Sequence, residues 1–195
     1  MTFHKMKMIM VLFSIVSYCW GDEITPDAIF EHLAEFGELA CSLDIREQTL
    51  LDTFSYTGFL ALRPDKFYAH LGGDYYLQTD TAEILSWTDG SDAIPIPGLP
   101  FFDLSRLYQE LTKRFSLRAE KNTSGYCIIG NSSDTAQTVK HWEFCTDKEY
   151  VPIKLEILYY QGNKVGISFY SIGLDDNANL ADSIFTLPDG VRTIR

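Results

Sequence analysis

The sequence is poor in positive charge, with 16 lysines and arginines against 27 aspartates and glutamates in 195 residues. The first 21 residues hold two of those lysines and no acidic residue. The remainder therefore carries 14 basic and 27 acidic side chains, a net charge of −13. A surface this acidic repels phosphate groups, which argues against a nucleic acid partner and against adsorption to an anionic membrane.

The sequence also lacks the signatures of common catalytic and metal sites. It has no G-x-S-x-G nucleophile motif, and its cysteines lie in no recognisable catalytic context. The three histidines beyond residue 21 are scattered without the spacing of zinc ligands. The run LDDNANLADS begins like a calcium-binding loop, but Leu180 stands where that loop requires glycine. The sequence thus predicts no enzyme, no metal and no cofactor.

An apolar run occurs at the start of the chain, where Lys5 and Lys7 precede MIMVLFSIVSY. A basic segment, a short apolar segment and a small residue, here Gly21, follow the order of a secretory signal peptide. We therefore expect residues 1–21 to be a signal peptide cleaved near Gly21. Residues 22–195 are then expected to form a single exported domain.

The cysteines leave two questions open. Cys19 could carry a lipid anchor, but Tyr18 stands where a lipid-attachment site needs a small residue, which favours simple cleavage. Cys41, Cys127 and Cys145 remain, and an odd number in an oxidising compartment leaves one free or paired between chains. Cys127 and Cys145 lie in successive predicted strands and could form a disulfide. The alternative is that all three are small buried apolar residues.

Two segments show helical periodicity. TPDAIFEHLAEFGELA, residues 25–40, has Thr25 as a candidate N-cap and Pro26 at the first helical position, followed by an apolar stripe. DLSRLYQELTKRF, residues 103–115, has Asp103 as its candidate cap. Both helices are predicted to lie on an apolar surface.

The rest of the chain beyond the signal alternates with a period of two, which is typical of antiparallel strands. Strands are predicted near 41–48, 53–63, 66–71, 74–79 and 83–88, and again after residue 115. In the apolar loop AIPIPGLPFF, residues 93–102, three prolines are expected to prevent a regular ladder. The closing FTLPDGVRTI is expected to be an edge segment. About nine or ten strands with two helices predict a mainly β (α+β) domain, an antiparallel sheet wrapped over helices.

Three short motifs resemble those of the LolA family of periplasmic lipoprotein carriers. The family's G-x-L-x-L-K-R-P-x-x-F-x-W strand is matched by Gly58, Leu60, Leu62, Arg63, Pro64, Phe67 and Tyr68. A P-F segment leading into a helix is matched by Pro100 and Phe101, and a closing signature by Phe185, Leu187, Pro188, Gly190 and Val191. The resemblance spans essentially the whole chain beyond the signal.

The resemblance implies a curved antiparallel sheet that forms an incomplete barrel, with the helices as a lid over a hydrophobic cavity. In the family this cavity takes the acyl chains of lipoproteins on their way from the inner to the outer membrane. The expected cavity residues are Phe30, Leu33, Phe59, Phe67, Ile96, Leu99, Phe101, Leu107, Ile157 and Phe169. The implied partners are lipoproteins, an inner-membrane lipoprotein-releasing transporter and an outer-membrane receptor, with a monomer in the periplasm. The alternatives are the lipid-anchored outer-membrane acceptor LolB and other lipid-binding or envelope-sensing proteins of this fold.

Arg63 raises a separate question, because it ends a half-buried strand immediately before a proline, and a buried guanidinium needs an acceptor. The residues alone favour an ion pair with a nearby carboxylate such as Asp65. The resemblance implies instead a lid latch, in which Arg63 donates to backbone carbonyls of a helix while the cavity is empty.

Overall fold

The computed structural model describes residues 24–78, 83–97 and 103–194. Two α-helices, eleven β-strands and two short 3₁₀ helices make up this part of the chain. In order they are α1 (Pro26–Glu35), β1 (Leu39–Gln48), β2 (Thr53–Arg63), β3 (Lys66–Leu71), β4 (Asp74–Gln78), β5 (Glu83–Thr88), β6 (Ile94–Pro97), α2 (Leu104–Arg114), β7 (Ser116–Lys121), β8 (Gly125–Asn131), β9 (Val139–Asp147), β10 (Pro152–Tyr159), β11 (Lys164–Leu174) and the 3₁₀ helices Asp175–Asn177 and Asp182–Phe185. Among the described residues, no helix is both long and apolar enough to cross a membrane.

Both predicted helices are confirmed at their N-termini, where local capping chemistry fixes the start. The Thr25 side chain accepts a hydrogen bond from the backbone N–H of Ala28 at 3.2 Å. The Asp103 side chain accepts one from the N–H of Arg106 at 2.9 Å. The first helix is shorter than the predicted 25–40, because Phe36 adopts an extended backbone and the chain enters β1 three residues later.

The eleven strands form one open sheet in the order β6-β5-β4-β3-β2-β1-β11-β10-β9-β8-β7, and all neighbouring strands run antiparallel. The strands β1–β6 form one meander and β7–β11 a second, joined where β1 pairs with β11. This confirms the predicted fold class, an antiparallel sheet that is not closed into a barrel and carries two helices.

The proline-rich loop is a correction to the sequence prediction. Residues 94–97 form a short strand, β6, that pairs antiparallel with β5, with Ile94 opposite Ser86 and Ile96 opposite Ile84. The prolines are tolerated because β6 is the outermost strand of the sheet, where a missing N–H breaks no bond to a further strand.

The sheet has two differently covered faces. We call the face on which the helices pack the inner face, and it includes Ile128 and Trp142 beneath the helices. The opposite, outer face of the first meander includes Ala61 and Leu77, which pack against Leu180 and Phe185 of the C-terminal segment, residues 175–194. The C-terminal segment, expected at a sheet edge, therefore covers part of the outer face. It reaches an edge at Thr193, which bridges to Ala93.

Candidate functional site

Both helices pack over the second meander and enclose an apolar cluster there, which we call the lid cluster. Ile29, Phe30 and Leu33 of α1 are at most 9% exposed. The rings of Phe30 in α1 and Tyr108 in α2 lie 5.1 Å apart between centroids, so the helices also contact each other. The members from the sheet are Leu117, Ala119, Tyr126, Ile128, Val139, Trp142, Phe144, Leu155 and Ile157. The two helices thus form an amphipathic layer, here called the lid, over β7–β10.

The apolar inner face continues beyond the lid cluster onto β1, β2 and β11. We call this second region the inner strip. Its buried members are Leu39, Cys41, Leu43 and Ile45, with Tyr56, Leu60, Leu62, Leu71, Val165, Ile167, Phe169, Ile172 and Leu174 packed against them. Phe169 joins the two regions, because its ring meets that of Phe144 edge-on at 6.2 Å between centroids. Among the described residues, no side chain of the lid belongs to the inner strip.

Most of the expected cavity residues that the structure describes lie on this inner face or on the helices that pack against it. Phe30, Leu33, Leu107 and Ile157 belong to the lid cluster, and Phe169 belongs to the inner strip. Phe67 pairs with Leu62 across β2 and β3, which places it on the same face. Ile96 lies opposite Ile84 in β5, a buried residue.

Three of the expected cavity residues do not join this set. Phe59 lies on the outer face, in the cluster of Ala61 and Phe185, since successive residues of a strand point to opposite faces. Leu99 and Phe101 lie outside the described residues, as do Pro100 and the whole predicted signal peptide.

Arg63 lies at the end of β2 and is held by three polar contacts. Its Nη1 donates to Oδ1 of Asp182 at 2.5 Å, and its Nη2 donates to the carbonyl oxygen of Leu180 at 2.6 Å. Its Nε lies 2.8 Å from Oε1 of Glu38. The guanidinium also lies over the ring of Phe185, 5.1 Å from the centroid. The hydrogen bond from Arg63 holds the pKa of the Asp182 carboxyl below its usual range.

These contacts involve the connection between α1 and β1, residues 36–38, which we call the hinge. The hinge is also fixed by Asp175, whose Oδ1 accepts hydrogen bonds from the N–H groups of Gly37 at 2.7 Å and Glu38 at 3.4 Å. In return, the N–H of Asp175 donates to the carbonyl oxygen of Glu38 at 2.8 Å. Arg63 and Asp175 together therefore attach the hinge to β2 and to the C-terminal segment. We call this network the hinge clamp.

The partners of Arg63 differ from both expectations at the level of individual residues. Its hydrogen bonds go to the Asp182 carboxylate and the Leu180 carbonyl of the C-terminal segment, and its ion pairs are with Asp182 and with Glu38 of the connection between α1 and β1, so Asp65 is not among its described partners. The register explains this arrangement, because Leu62 points to the inner face and Arg63 therefore points outward. Asp182 lies 119 residues from Arg63 along the chain, so no local sequence pattern could have identified this pair.

The three cysteines of the described part of the chain form one disulfide and one buried thiol. Cys127 and Cys145 face each other in β8 and β9 and are bonded, with an S–S distance of 2.06 Å. Together with Glu143 they form the one group in the described part of the chain whose ligand atoms are close enough to hold a metal ion. Sulfurs bonded in a disulfide cannot act as thiolate ligands, however. Cys41 is a free thiol in the inner strip, and burial raises its pKa to about 12.

A groove of about 560 Å³ lies on the outer face, across β2, β1, β11 and β10. It is lined by Asp44, Ile45, Arg46, Ser55, Tyr56, Thr57, Lys154, Glu156, Gly166, Ile167 and Ser168. Charged and small polar residues make up most of the lining, together with Ile45, Tyr56 and Ile167 of the inner strip.

Comparison with known proteins shows similarity at the level of the fold. No protein-family model matches the sequence, and no curated protein matches it significantly. Among solved structures, a LolA superfamily protein from Nitrosomonas europaea is similar, with 13% identity, coverage of 84% of this chain and 98% of that chain, and a TM-score of 0.45.

Two further solved structures are similar to the chain. A proposed outer membrane lipoprotein-sorting protein domain from Vibrio parahaemolyticus has 11% identity, with 80% of this chain and 93% of that chain covered and a TM-score of 0.43. The MucA/MucB complex of Pseudomonas aeruginosa contains a chain with 13% identity, with 80% and 60% covered and a TM-score of 0.42.

Proposed function

We propose that the chain is an exported carrier that binds the acyl chains of lipoproteins between the lid and the inner face of the sheet. The observation that carries the proposal is the continuous apolar inner face, which the lid covers over β7–β10 while the inner strip extends past it. An amphipathic layer that covers part of a larger apolar surface can separate from it and admit a hydrocarbon chain. The motifs around Arg63 and near the C-terminus support the same function through their resemblance to LolA.

The free energy of acyl burial is large enough for such a carrier. Each buried methylene contributes about 0.8 kcal/mol, so one fatty chain supplies roughly 10 kcal/mol before the cost of ordering it. Lid opening requires that Ile29, Phe30 and Leu33 lose their contacts with the sheet. Since burying one such side chain contributes roughly 2 kcal/mol, opening α1 costs about 6 kcal/mol, which a single acyl chain can offset.

The role of Arg63 in this proposal is that of a latch acting through the hinge. The guanidinium holds Glu38, and Asp175 holds the two hinge N–H groups, so α1 is anchored at its C-terminal end while the interior is empty. Release of cargo needs a stable empty state, and these contacts stabilise that state. The latch thus connects the outer-face contacts of Arg63 to the position of the lid.

The partners and location follow from the same proposal. Lipoproteins would be delivered by an inner-membrane lipoprotein-releasing transporter and passed to an outer-membrane receptor. The chain would act as a monomer in the periplasm after cleavage near Gly21. Mass spectrometry of the processed N-terminus distinguishes this carrier, with a free Asp22, from an anchored acceptor, with an acylated Cys19.

The test is a release assay with spheroplasts of a Gram-negative bacterium whose newly made lipoproteins are radiolabelled. The purified protein is expected to bring labelled lipoprotein into the supernatant as a soluble complex. Leu107→Asp places a charge beneath the lid and should abolish release, because Leu107 packs into the lid cluster. Ser105→Asp places the same charge on the exposed side of α2 and should leave release intact.

The outcomes separate the carrier from other lipid-binding functions. Absence of labelled lipoprotein in the supernatant, together with free lipid retained by the protein in native mass spectrometry, would replace the carrier function with lipid binding or sensing. Equal loss of release in both variants would show that charge on α2, and not access to the lid cluster, controls the assay.

A further inference from the structure

Trp142 carries a buried hydrogen-bond donor that the described part of the fold leaves unused. Its side chain lies in the lid cluster and is 8% exposed. Its Nε1 is shielded from solvent and has no hydrogen-bond partner among the residues that the structure describes. Buried indole N–H groups usually have a partner, because an unpaired donor in an apolar setting is costly. The orphaned N–H therefore needs an explanation.

The position of the ring is set by a glycine in the neighbouring strand. Trp142 in β9 pairs with Gly130 in β8, and a methyl group at Gly130 would come within 2.2 Å of Nε1. The indole thus lies across β8 on the inner face, in the space that a side chain at position 130 would occupy. Phe115, which follows α2, meets the indole edge-on at 6.0 Å between centroids, so it offers the N–H at most a weak contact.

The surroundings argue against water as the partner of this donor. Leu117 pairs with Gly130 from β7, and Ile128 and Ile157 lie in the same cluster. A buried water needs two to four polar partners, and these neighbours present hydrocarbon. What suits the site is a molecule that is itself mostly hydrocarbon and carries one acceptor.

We propose that the indole N–H of Trp142 donates a hydrogen bond to the carbonyl oxygen of a bound acyl chain. This inference rests on the proposed function. An acyl chain has a single polar group, the carbonyl at its ester or amide end, and the remainder matches the lid cluster. One fixed donor in an apolar surface would set how deeply the chain enters and would favour acyl chains over hydrocarbons that lack the carbonyl.

The experiment compares two ligands that differ in this carbonyl. The purified protein is titrated with 1-palmitoylglycerol, an ester, and with 1-O-hexadecylglycerol, its ether analogue, by isothermal titration calorimetry. The wild-type protein should prefer the ester by about tenfold, the size expected for one buried hydrogen bond. In Trp142→Phe the preference should fall to within about twofold, while the affinity for the ether stays nearly unchanged.

A matched variant controls for the loss of ring volume. Trp87 is also buried, at 5% exposure, but it lies in the outer-face cluster, so Trp87→Phe should keep the preference for the ester. If Trp142→Phe does not fold, benzothienylalanine at position 142 retains the shape of the indole and removes only its N–H.

The outcomes distinguish failure of this inference from failure of the proposed function. Equal wild-type affinity for ester and ether overturns the role of Trp142 and leaves acyl binding in place. Binding of neither ligand overturns the proposed function itself. Lipoproteins and membrane phospholipids both contain such carbonyls, and displacement of the ester by a triacylated cysteine lipopeptide or by phosphatidylethanolamine identifies the source. If the lipopeptide or the phospholipid displaces the ester less effectively from Trp142→Phe than from the wild type, that result supports the inference.

Discussion

Replacement of Arg63 by leucine is the perturbation that most directly tests the hinge clamp. Leucine retains part of the apolar stem beside Phe185 but removes every donor. The carbonyl of Leu180 then loses a charged donor at 2.6 Å, and Glu38 loses its partner at 2.8 Å. Asp182 is largely exposed and is hydrated again once the arginine is gone, so its contact contributes a smaller share of the loss than the other two.

The expected magnitude follows from how buried these contacts are. The Arg63 side chain is 17% exposed, and a hydrogen bond to a charged group contributes roughly 1.5–3 kcal/mol to stability. We expect Arg63→Leu to lower the free energy of unfolding by about 2–3 kcal/mol in urea titrations at pH 7. Arg63→Lys keeps the positive charge but loses the planar set of guanidinium donors, so its free energy of unfolding should lie between those of the wild type and Arg63→Leu.

Arg118 supplies the matched control. It pairs with Glu120 at 3.1 Å on the edge strand β7, with both side chains more than half exposed. An exposed pair contributes at most about 1 kcal/mol, so Arg118→Leu should change stability by less than that. Similar losses for Arg63→Leu and Arg118→Leu would refute the assignment of a stabilising clamp to Arg63.

The pH dependence gives an independent check with a defined sign. Arg63 lowers the folded-state pKa of Asp182, so this contribution is present above the ordinary carboxyl pKa of about 4 and is lost as the pH falls through the folded-state value. The stability difference between wild type and Arg63→Leu should therefore narrow below about pH 4. A difference that stays constant down to pH 3 would contradict the role of the carboxylate.

In the carrier assay, Arg63→Leu should accept lipoprotein and release it poorly. Normal delivery of lipoprotein to an acceptor by this variant would refute the role of Arg63 as a latch.

Two further predictions concern residues of the inner face. Gly130→Ala should lower the free energy of unfolding by about 3 kcal/mol, because the new methyl group would overlap the Trp142 ring. Gly73→Ala, where the new methyl group meets open space, should lower it by less than about 1 kcal/mol. Equal effects of the two substitutions would show that the Trp142 ring moves aside freely. Burial raises the pKa of the Cys41 thiol to about 12. At pH 8 this thiol should therefore react with a disulfide reagent at least about a hundredfold more slowly in the native protein than in urea, with the labelled cysteine identified by peptide mass. A fast reaction in the native protein would contradict the burial of Cys41.

The elements that the sequence predicted well are those determined by neighbouring residues. Thr25 and Asp103 mark the helix starts because an N-cap needs only the N–H groups of the next turn. The strands of the meanders follow from alternation and turn residues in the same way. The proline-rich strand β6 was missed because its tolerance for proline depends on its place at the sheet edge, which is a property of the whole sheet.

The parts that escaped prediction depend on contacts between distant residues. Arg63 is easily singled out in the sequence, but Leu180 and Asp182 lie more than 100 residues away from it. The expected cavity residues were mostly placed on the inner face, whereas Phe59 was not, because the register decides which of two adjacent apolar residues faces inward. The indole N–H of Trp142, which has no partner among the residues that the structure describes, leaves no trace in the sequence at all.

The pairing of β1 with β11 has a consequence for the order in which the molecule can form. During synthesis, which proceeds from the N-terminus, one edge of β1 stays unpaired until residue 174 is available, about 130 residues later. The hinge clamp forms later still, because Asp175 and Asp182 follow β11. Of the described elements, α1 is therefore synthesised first, but the contacts that anchor it form only near the end of synthesis. A partly synthesised chain consequently exposes the apolar inner face together with the unpaired edge of β1. Exposed apolar surface beside an unpaired strand edge favours aggregation, so this hazard persists until residues 175–182 are available.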